Sequence, residues 1–261
     1  MIMKKKFAYI PNHDLRDEIR DYWSERAATF DQDPGHKIGS NSERAAWMAL
    51  FHRHLGAAQE RKLLDLASGT GEVALLCHDL GYRVTGLDWA EPMLDRARRK
   101  AADCGAGIVF LQADAERTML PAASLDVIVA RHLVWTLVDP QAAVADWFRI
   151  LAPGGRLLIV DGYFVSRGWW HRLLGRVLGS GQAVARAGCA DRHASILARV
   201  YFSGGARAEA VAALLAAAGF TDIRVDTRLG AIHRAQSRSM AWKRSLLRRA
   251  EHRYAISASK P

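Results

Sequence analysis

The sequence lacks the features that mark membrane-spanning and secreted proteins. Apolar stretches such as 63–66 and 125–130 are interrupted far short of the roughly 18 residues that a helix needs to span a bilayer. The chain begins with basic residues, but no apolar stretch of signal-peptide length follows them. We therefore expect no transmembrane segment and a cytoplasmic protein.

Cysteine is also scarce. The chain has 3 cysteines, Cys77, Cys104 and Cys189, which are widely spaced and form no Cys-x-x-Cys pair. Disulfide frameworks and zinc sites usually show an even number of cysteines or closely grouped ones, and this spacing indicates neither. We predict free thiols in a reducing compartment and no bound metal.

The remaining composition is that of an ordinary globular protein with unevenly distributed charge. Of the 261 residues, 50% are hydrophobic and 25% are charged, which argues against extended disorder and suits one sizeable α/β domain. The formal net charge is +10, and residues 228–254 alone hold eight Lys or Arg against one acid. This basic segment fits contact with RNA or another anionic surface, and it fits a solvated helix face equally well.

Strand-like and helix-like segments alternate along most of the chain. Apolar residues recur every three to four positions in 14–30 and 42–55, which predicts two N-terminal helices. From residue 62 onward, short apolar runs alternate with helical segments, which predicts βαβ crossovers. The fold class is therefore α/β: a doubly wound, mostly parallel, Rossmann-like seven-stranded sheet with N-terminal helices and helical lid insertions. The predicted strands are 62–66, 82–88, 108–112, 125–130, 156–161, 222–226 and 254–259, and the predicted helices among them are 72–80, 92–103, 142–151 and 206–218.

This alternation also divides the chain into regions around one sheet. We predict an N-terminal helical cap, a ligand-binding core, a lid that includes a helix near 172–178, and a C-terminal part of the sheet with a basic insertion. The regions are 1–59 for the cap, 60–162 for the core, 163–205 for the lid and acceptor pocket, and 206–261 for the C-terminal part, whose insertion is 229–251.

A glycine-containing turn follows the first predicted strand. Gly69-Thr70-Gly71 lies between a strand and a helix, where backbone N–H groups approach a ligand closely and a Cβ atom would be in the way. Asp88 ends the next strand, 17 residues after Gly71. Parallel neighbouring strands bring their carboxyl ends to one crevice, so the Asp88 carboxylate is placed to accept both hydroxyls of an adenosine ribose.

Two classes of ligand share this arrangement. Residues 69–74 fit the G-x-G-x-x-A fingerprint, which leaves an NAD(P)-dependent oxidoreductase open. The same turn follows a strand-terminal acid, Asp65, as in turns that hold S-adenosyl-L-methionine. Asp114, just past the third predicted strand, is placed to accept a hydrogen bond from an adenine amino group, which a dinucleotide fold does not need. The third acid favours S-adenosyl-L-methionine.

Five successive segments together resemble the motifs of class I S-adenosylmethionine-dependent methyltransferases. Their order and spacing hold across residues 60–162. The resemblance implies an enzyme that transfers a methyl group from S-adenosyl-L-methionine to an acceptor by in-line displacement. The segments are LDLASGTG at 64–71, GLDWAEPML at 86–94, ADAE at 113–116, LDVIV at 125–129 and RILAPGGRL at 149–157.

The resemblance also implies which residues hold the cofactor. Ser68, Gly69 and Gly71 would line its methionine portion, and Asp88 would hold the ribose. The family usually has glycine where this chain has Ala67. The remaining implied contacts are Trp89 and Met93 beside the adenine, Asp114 and Ala115 at the adenine edge, and Arg131 near the sulfonium. Tyr22 and Arg26, in the N-terminal part that would overhang the same edge of the sheet, are further candidates for contact with the cofactor or the acceptor.

Segments that overhang the carboxyl edge of the sheet supply the candidates for the acceptor side. His132 follows the fourth predicted strand and is the titratable group best placed to act as a base. The cofactor carries an activated methyl group, so a base is needed only where the acceptor must first lose a proton. The other candidates are Phe30, His36, Trp135, Tyr163, Trp169 and Trp170.

The sequence does not specify the accepting atom. We predict a small-molecule acceptor that presents a nitrogen, oxygen, carbon or sulfur atom. The chain shows no separate RNA-binding module, which favours a small molecule over nucleic acid. Binding of RNA or an anionic surface through residues 228–254 remains the alternative.

Overall fold

The computed structural model describes residues 14–33, 35–162, 187–238 and 253–261, with the backbone alone for 187–190. Within these ranges, no helix is long and apolar enough to cross a membrane. No three His, Cys, Asp or Glu side chains of the same residues are grouped so as to hold a metal ion.

The described residues contain seven strands that form one mixed sheet. The strands are β1 (Lys62–Leu66), β2 (Arg83–Asp88), β3 (Val109–Gln112), β4 (Leu125–Arg131), β5 (Leu151–Gly162), β6 (Thr221–Asp226) and β7 (Arg253–Ser259). Their spatial order is β3-β2-β1-β4-β5-β7-β6. The first five strands in that order are parallel, and β7 runs antiparallel to β5 and β6. The predicted seven-stranded, mostly parallel sheet is confirmed.

Helices cover both faces of this sheet. They are α1 (Leu15–Arg26), α2 (Asn41–Leu55), α3 (Glu72–Asp79), α4 (Glu91–Asp103), α5 (Pro140–Ile150), α6 (Ala187–Leu197), α7 (Ala208–Ala217) and α8 (Gly230–Arg238). Alternate strand residues point to opposite layers: Leu63 and Val127 pack with α2, α3, α4 and α8, whereas Leu64 and Ile128 pack with α5 and α7. The period of two along each strand therefore buries both faces, as a doubly wound fold requires.

The first helix is shorter than the predicted span 14–30. Asp14 caps its beginning, and the helix ends at Arg26. The Thr29 N–H donates to the Arg26 carbonyl over 3.1 Å, which closes a turn, and a 3₁₀ helix follows at Phe30–Gln32. The Arg26 side chain pairs with Asp33, so the chain folds back instead of continuing as a helix.

The fifth strand begins earlier than predicted. Leu151 pairs with Leu125 of β4, so the preceding helix ends at Ile150. The strand therefore begins at Leu151 and not at residue 156, where it was predicted to begin. Backbone hydrogen bonds of 2.9 Å between the Gly154–Gly155 turn and Lys260 hold this segment. These partners are more than a hundred residues away, so the local pattern carries no signal of them.

Two helices are not predicted by the sequence pattern. α6 lies in a stretch rich in Gly, Ala and Ser, and α8 lies in the basic segment. Ile196 of α6 is buried in one cluster with Tyr22 of α1. Ile232 of α8 is buried in one cluster with Phe51 of α2. Burial against distant helices stabilises both segments, and short-range periodicity does not reveal it.

The strand order places a crevice beside β1. The chain adds β2 on one side of β1 and returns to add β4 on the other. The loops that follow β1 and β4 therefore leave in different directions, which opens a ligand-binding crevice at the carboxyl ends of these strands.

A substitution at Gly86 on β2 would show how closely the residues below that crevice are packed. A Cβ atom at Gly86 would lie 2.6 Å from the Phe110 ring and 2.8 Å from the Ser68 hydroxyl. We expect Gly86→Ala to lower the free energy of unfolding by about 1–3 kcal/mol through overpacking. Gly107→Ala is the matched control because a Cβ atom there has open space. Urea unfolding that gives the two variants equal stability would contradict this packing.

Candidate active site

A cavity of about 450 Å³ opens at the carboxyl ends of β1, β2 and β4, beneath α1. Most of the described residues predicted for the site line it. They are Tyr22, Arg26, Phe30, His36, Ser68, Gly69, Asp88, Trp89, Met93, Asp114, Ala115, Arg131, His132 and Trp135. The structure thus brings the predicted cofactor and acceptor residues into one space. Tyr163, Trp169 and Trp170 lie outside the described residues.

Asp88 joins the glycine turn to the end of β2. Its Oδ2 accepts the Gly69 N–H over 2.8 Å, and its Oδ1 accepts the Ala90 N–H over 2.9 Å. Burial raises the pKa of this carboxyl, and the backbone donors partly offset that rise. A carboxylate oxygen has two lone-pair sites, so each oxygen keeps capacity for a further donor from a ligand.

Gly71 has a packing role and does not line the cavity. Its φ is +84°, and it occupies the position before α3. A Cβ atom at this position would lie 3.0 Å from the Ala97 Cβ of α4. Glycine therefore permits both the left-handed backbone and the close approach of α4.

Ala67 and His132 show strained backbone at corresponding places. Each follows a strand that ends at the cavity, β1 or β4, and their φ angles are +53° and +60°. Residues with a Cβ seldom adopt this region, and such residues cluster at functional sites. The Ala67 geometry explains why glycine suits that position in the resembled family. His132 is fixed further because its N–H donates to the Val160 carbonyl over 3.0 Å.

Asp65 lies at the floor of the cavity with 1% of its surface exposed. Burial raises the pKa of its carboxyl to about 7, although the hydrogen bond from Ser68 and the charge of Arg131 oppose that rise. The Ser68 hydroxyl donates to Asp65 Oδ2 over 2.7 Å. Asp65 thus braces the turn that carries Ser68 and contributes negative potential to the cavity floor.

Arg131 is a buried cation aimed at the same floor. One guanidinium nitrogen, Nη2, donates to the His36 carbonyl over 2.5 Å, and the group stacks over Trp47 at 5.4 Å from the ring centroid. Burial lowers the pKa of Arg131, with the charges of Glu72 and Asp65 opposing the fall. Nη1 is buried and has no hydrogen-bond partner among the described residues. An unpaired donor of this kind fits an anionic group of a ligand.

The loop after β3 is tied to α1. The Glu116 N–H donates to Asp114 Oδ1 over 2.8 Å, which holds the Asp114 carboxyl at the cavity wall. Arg16 of α1 pairs with Glu116 at 2.6 Å and reaches to 3.9 Å from Asp114. Glu116 also accepts the Val138 N–H over 2.5 Å. One buried acid therefore joins α1, the β3 loop and the β4 loop.

A polar cluster holds the 3₁₀ segment over the glycine turn. Thr70 donates to Asp31 over 2.6 Å. Lys100 Nζ lies 2.7 Å from carboxylate oxygens of both Asp31 and Glu72. Burial opposes ionisation of Asp31, but the hydrogen bonds from Lys100 and Thr70 together with the charges of Lys100 and Arg96 outweigh it, so the pKa of Asp31 lies below its usual range. This cluster keeps the Phe30 ring over the turn, where it lies 3.7 Å from the position that a Cβ atom at Gly69 would take.

Aromatic rings form the opposite part of the cavity. Tyr22 stacks on His193 with ring centroids 5.4 Å apart, and Trp135 meets His193 edge-on at 5.6 Å. Trp23 lies between Trp135 and Phe30, at 6.3 Å and 5.9 Å respectively. This region is built from α1, α6 and the β4 loop, and it presents flat, largely apolar surfaces.

Sequence reasoning missed several lining residues. His193 and Leu197 come from α6, which was not predicted, and Arg253 begins β7 far along the chain. Trp23 lies on α1 one turn before the predicted Arg26, and Arg16 lies about two turns before Trp23, so extending this face of the helix turn by turn would have found both. The residues of α6 carry no such signal because their approach depends on packing against α1.

Residues 64–159 match the protein family described as "Methyltransferase domain". The chain carries a class I S-adenosylmethionine-dependent methyltransferase domain. The family resemblance predicted from the sequence is thereby confirmed. The matched residues run from within β1 to within β5 and include the turn at Gly69.

Curated relatives of this methyltransferase domain carry names from quinone biosynthesis. The chain is 39% identical over 103 residues to demethylmenaquinone methyltransferase of Thermus thermophilus, which covers 39% of this chain and 47% of that protein. It is 31% identical over 153 residues to a ubiquinone/menaquinone biosynthesis C-methyltransferase of Bdellovibrio bacteriovorus, covering 58% and 64%. The chain therefore spans about half to two thirds of the length of these relatives.

Solved methyltransferase structures share the fold over almost the whole chain. Phosphoethanolamine N-methyltransferase 2 of Haemonchus contortus aligns with a TM-score of 0.69 at 17% identity, covering 95% of this chain and 60% of that one. Geranyl diphosphate C-methyltransferase of Streptomyces coelicolor aligns with a TM-score of 0.64 at 15% identity, covering 96% and 100%. At these identities the likeness extends to the fold alone.

The strain at Ala67 gives a prediction for the methyltransferase domain. Ala67→Gly relieves the left-handed backbone, and we expect the free energy of unfolding to rise by about 1 kcal/mol. Ala113→Gly is the matched control, because Ala113 packs partly buried against the same core and has no positive φ. The free energy of unfolding of the Ala113→Gly variant should fall by about 0.5–1 kcal/mol. Equal destabilisation in chemical denaturation would show that Ala67 is not strained.

The protonation of Asp65 gives a second prediction. Its pKa in the folded protein, about 7, exceeds the ordinary value of 3.8. Its contribution to stability is therefore fully present below about pH 4 and is lost as the pH rises through 7. We expect Asp65→Asn to have a higher melting temperature than wild type at pH 8, with the difference shrinking toward pH 5.

Asp146→Asn is the control, because the contribution of Asp146 to stability should change with pH in the opposite direction to that of Asp65. Burial opposes ionisation of Asp146, but hydrogen bonds from Thr118 and a contact with Arg149 outweigh it, so the pKa lies below its usual range. The stability that Asp146 contributes is present above its ordinary pKa and is lost as the pH falls. Calorimetric melting of both variants between about pH 3 and pH 8 tests the pair. Parallel pH profiles for the two would refute the assignment for Asp65.

Proposed function

We propose that this protein transfers a methyl group from S-adenosyl-L-methionine to a small, largely apolar or aromatic acceptor by in-line displacement. The observation that carries the proposal is the single cavity in which Asp65, Asp88 and Asp114 meet the glycine turn and the Arg131 guanidinium. These acids come from three neighbouring strands, as the adenosyl-binding arrangement requires.

The residues present fit the cofactor in charge and shape. The Asp88 carboxylate, already held by two backbone N–H groups, would accept the ribose hydroxyls. Asp114 and Ala115 would contact the adenine edge, and Trp89 and Met93 would lie beside the ring. The unpaired Nη1 of Arg131 is suited to the carboxylate of the methionine portion.

The glycine turn and the N-terminal helix α1 would complete the part of the cavity that holds the cofactor, which we call the cofactor half. Ser68 and Gly69 would bound the methionine portion, with Phe30 packed against the turn. Tyr22 and Arg26 reach the cavity from α1, and the pairing of Arg26 with Asp33 fixes the direction of its guanidinium. These contacts hold the reacting centre in place and exclude water from it, which supplies most of what such a reaction needs from protein.

S-adenosyl-L-methionine, when bound, supplies an activated methyl group on a positively charged sulfur. The chain then has to position an acceptor, and the rings of Tyr22, Trp23, Trp135 and His193 offer flat surfaces for it. His36 adds a further ring beside Phe30 at 4.1 Å. A planar or extended apolar molecule suits this surface better than a highly charged one. Relatives named for demethylmenaquinone methylation support such an acceptor.

His132 is our candidate base where the accepting atom carries a proton. Its imidazole lines the cavity on a backbone fixed by left-handed geometry and by the bond to Val160. An imidazole held at a strand end would take up the proton that a nitrogen, oxygen, carbon or sulfur acceptor releases. An acceptor with a free lone pair and no proton to lose would not need this group.

The outer regions of the chain would enclose this chemistry. We assign 1–59 as a helical cap, 60–162 as the cofactor-binding core, 163–205 as a lid that contributes His193 and Leu197, and 206–261 as the C-terminal part of the sheet. The same proposal includes a cytoplasmic protein whose main partner is a small molecule.

Asp88 provides the direct test of cofactor binding. We expect Asp88→Ala to weaken the binding of S-adenosyl-L-methionine about 100-fold, because two charge-assisted hydrogen bonds are lost. Asp88→Asn keeps one acceptor oxygen and should weaken it about tenfold. Isothermal titration calorimetry measures both, with NAD⁺ as the competing ligand class.

Asp126→Ala is the matched control for this test. Asp126 also accepts a backbone N–H, that of Lys62 over 2.8 Å, but it lies at the opposite end of the strands. It should retain wild-type affinity for the cofactor. Wild-type affinity in the Asp88 variants, or binding of NAD⁺ in place of S-adenosyl-L-methionine by the unmodified protein, would end the proposal.

A further inference from the structure

A second cleft, of about 370 Å³, lies between the end of α2 and the strands β6 and β7. It shares no lining residue with the methyltransferase cavity. Four arginines line it, Arg53, Arg156, Arg224 and Arg228, together with the acids Asp222 and Asp226. The cleft therefore carries an excess of two positive charges over negative ones, counted as four arginines minus two acids.

Asp226 pairs with two of these arginines, Arg53 and Arg228, and its oxygens have no capacity left for the other two. Its side chain is 4% exposed. Oδ2 meets Arg53 at 3.0 Å and His54 Nε2 at 3.1 Å. Oδ1 accepts the backbone N–H of Arg228 over 2.8 Å and its Nε over 3.2 Å. Two oxygens thus receive four donors, which uses the capacity of a carboxylate.

The other two arginines have no carboxylate partner among the described residues. Arg156 Nη1 donates to the His54 carbonyl over 3.2 Å, and its other guanidinium donors stay available. Arg224 makes no hydrogen bond or ion pair through its side chain within the described part of the chain. A guanidinium has five N–H donors in a planar fork, a geometry that matches the oxygens of a phosphate group.

A backbone irregularity in β6 and a hydroxyl group of β7 also line this cleft. The pairing of β6 with β7 shifts register between Thr221 and Arg224, and Asp222 within the shift has a φ of +49°. Such bulges redirect side chains along a sheet edge. Ser257 faces the cleft as well, and its hydroxyl lies 3.1 Å from His54 Nδ1.

Ser257, His54 and Asp226 form a hydrogen-bonded row, but the surroundings do not suit nucleophilic catalysis. Ser257 lies inside a strand that is paired on both sides, with Leu158 and with Arg224. Backbone N–H groups in such a strand serve the sheet and do not form an oxyanion hole. The row instead anchors α2 to the sheet and fixes the acid around which the arginines gather.

We propose that this arginine cleft binds a phosphate group, as free phosphate or pyrophosphate or as the headgroup of an anionic lipid. The double variant Arg156→Gln/Arg224→Gln tests it while leaving all four donors to the Asp226 carboxylate in place. Arg83→Gln/Arg99→Gln is the control with the same loss of charge, because Arg83 and Arg99 are exposed residues in the half of the chain that carries β2 and α4.

Two measurements on the full chain distinguish a free phosphate or pyrophosphate ligand from a lipid headgroup. Titration calorimetry at low salt uses inorganic phosphate and pyrophosphate. Co-sedimentation uses vesicles of phosphatidylglycerol with phosphatidylcholine, compared with phosphatidylcholine alone. We expect the cleft variant to lose binding about tenfold or more and the control to stay within about twofold. All variants should keep wild-type affinity for S-adenosyl-L-methionine.

Each outcome decides the proposal. Selective binding of pyrophosphate with no vesicle binding assigns a free phosphate ligand, and selective binding of phosphatidylglycerol vesicles assigns a headgroup. If the cleft variant and the control variant lost binding equally, the loss would be due to the lower net charge of the protein, and this would overturn the proposal. Absence of binding by the wild-type protein to both probes, or binding only to a single-stranded oligonucleotide, would also overturn it.

Discussion

The hydrogen bonds from Gly69 and Ala90 to the Asp88 carboxylate are the constraint on which the site depends. They join the turn after β1 to the end of β2, so two strands that are neighbours in space become one rigid edge. The glycine turn can pass this close because Gly86 leaves room for Ser68 and Phe110 beneath it. The packing of the sheet therefore sets the position of the acid that faces the ligand.

The second constraint is electrostatic. The described part of the cavity concentrates buried acids, and burial raises the pKa of both Asp65 and Asp88. At the floor of the cavity, the positive charge of Arg131 is buried beside Asp65 and acts to lower the pKa of that carboxyl. A cation bound among these acids would lower their pKa values and favour their ionised forms. The site is thus poised toward a ligand that carries both a positive centre and a carboxylate.

Much of this arrangement could be predicted from the sequence because it is local. The turn at Gly69 and the acid at Asp88 stand at fixed distances from short apolar strands, and parallel pairing brings their ends together. His193 could not be predicted, since only its burial against Tyr22 of α1 brings it to the cavity. The left-handed backbone of His132 has no sequence signal at all. It follows from the hydrogen bond that ties this residue to β5.

The two halves of the cavity that we propose for the cofactor and for the acceptor are held by different kinds of contact. Backbone hydrogen bonds and glycine packing fix the cofactor half, where a small displacement breaks a directional bond. Ring contacts among Trp23, Trp135 and His193 fix the acceptor half, and such contacts tolerate exchange of volume when the total is conserved. Substitutions in α1 and α6 therefore reshape the acceptor region while Asp88 and the turn stay in place. The helices that cover the sheet would therefore set the selectivity for the acceptor, whereas affinity for the cofactor would depend mainly on the sheet and its turns, with Tyr22 and Arg26 as the contribution of α1.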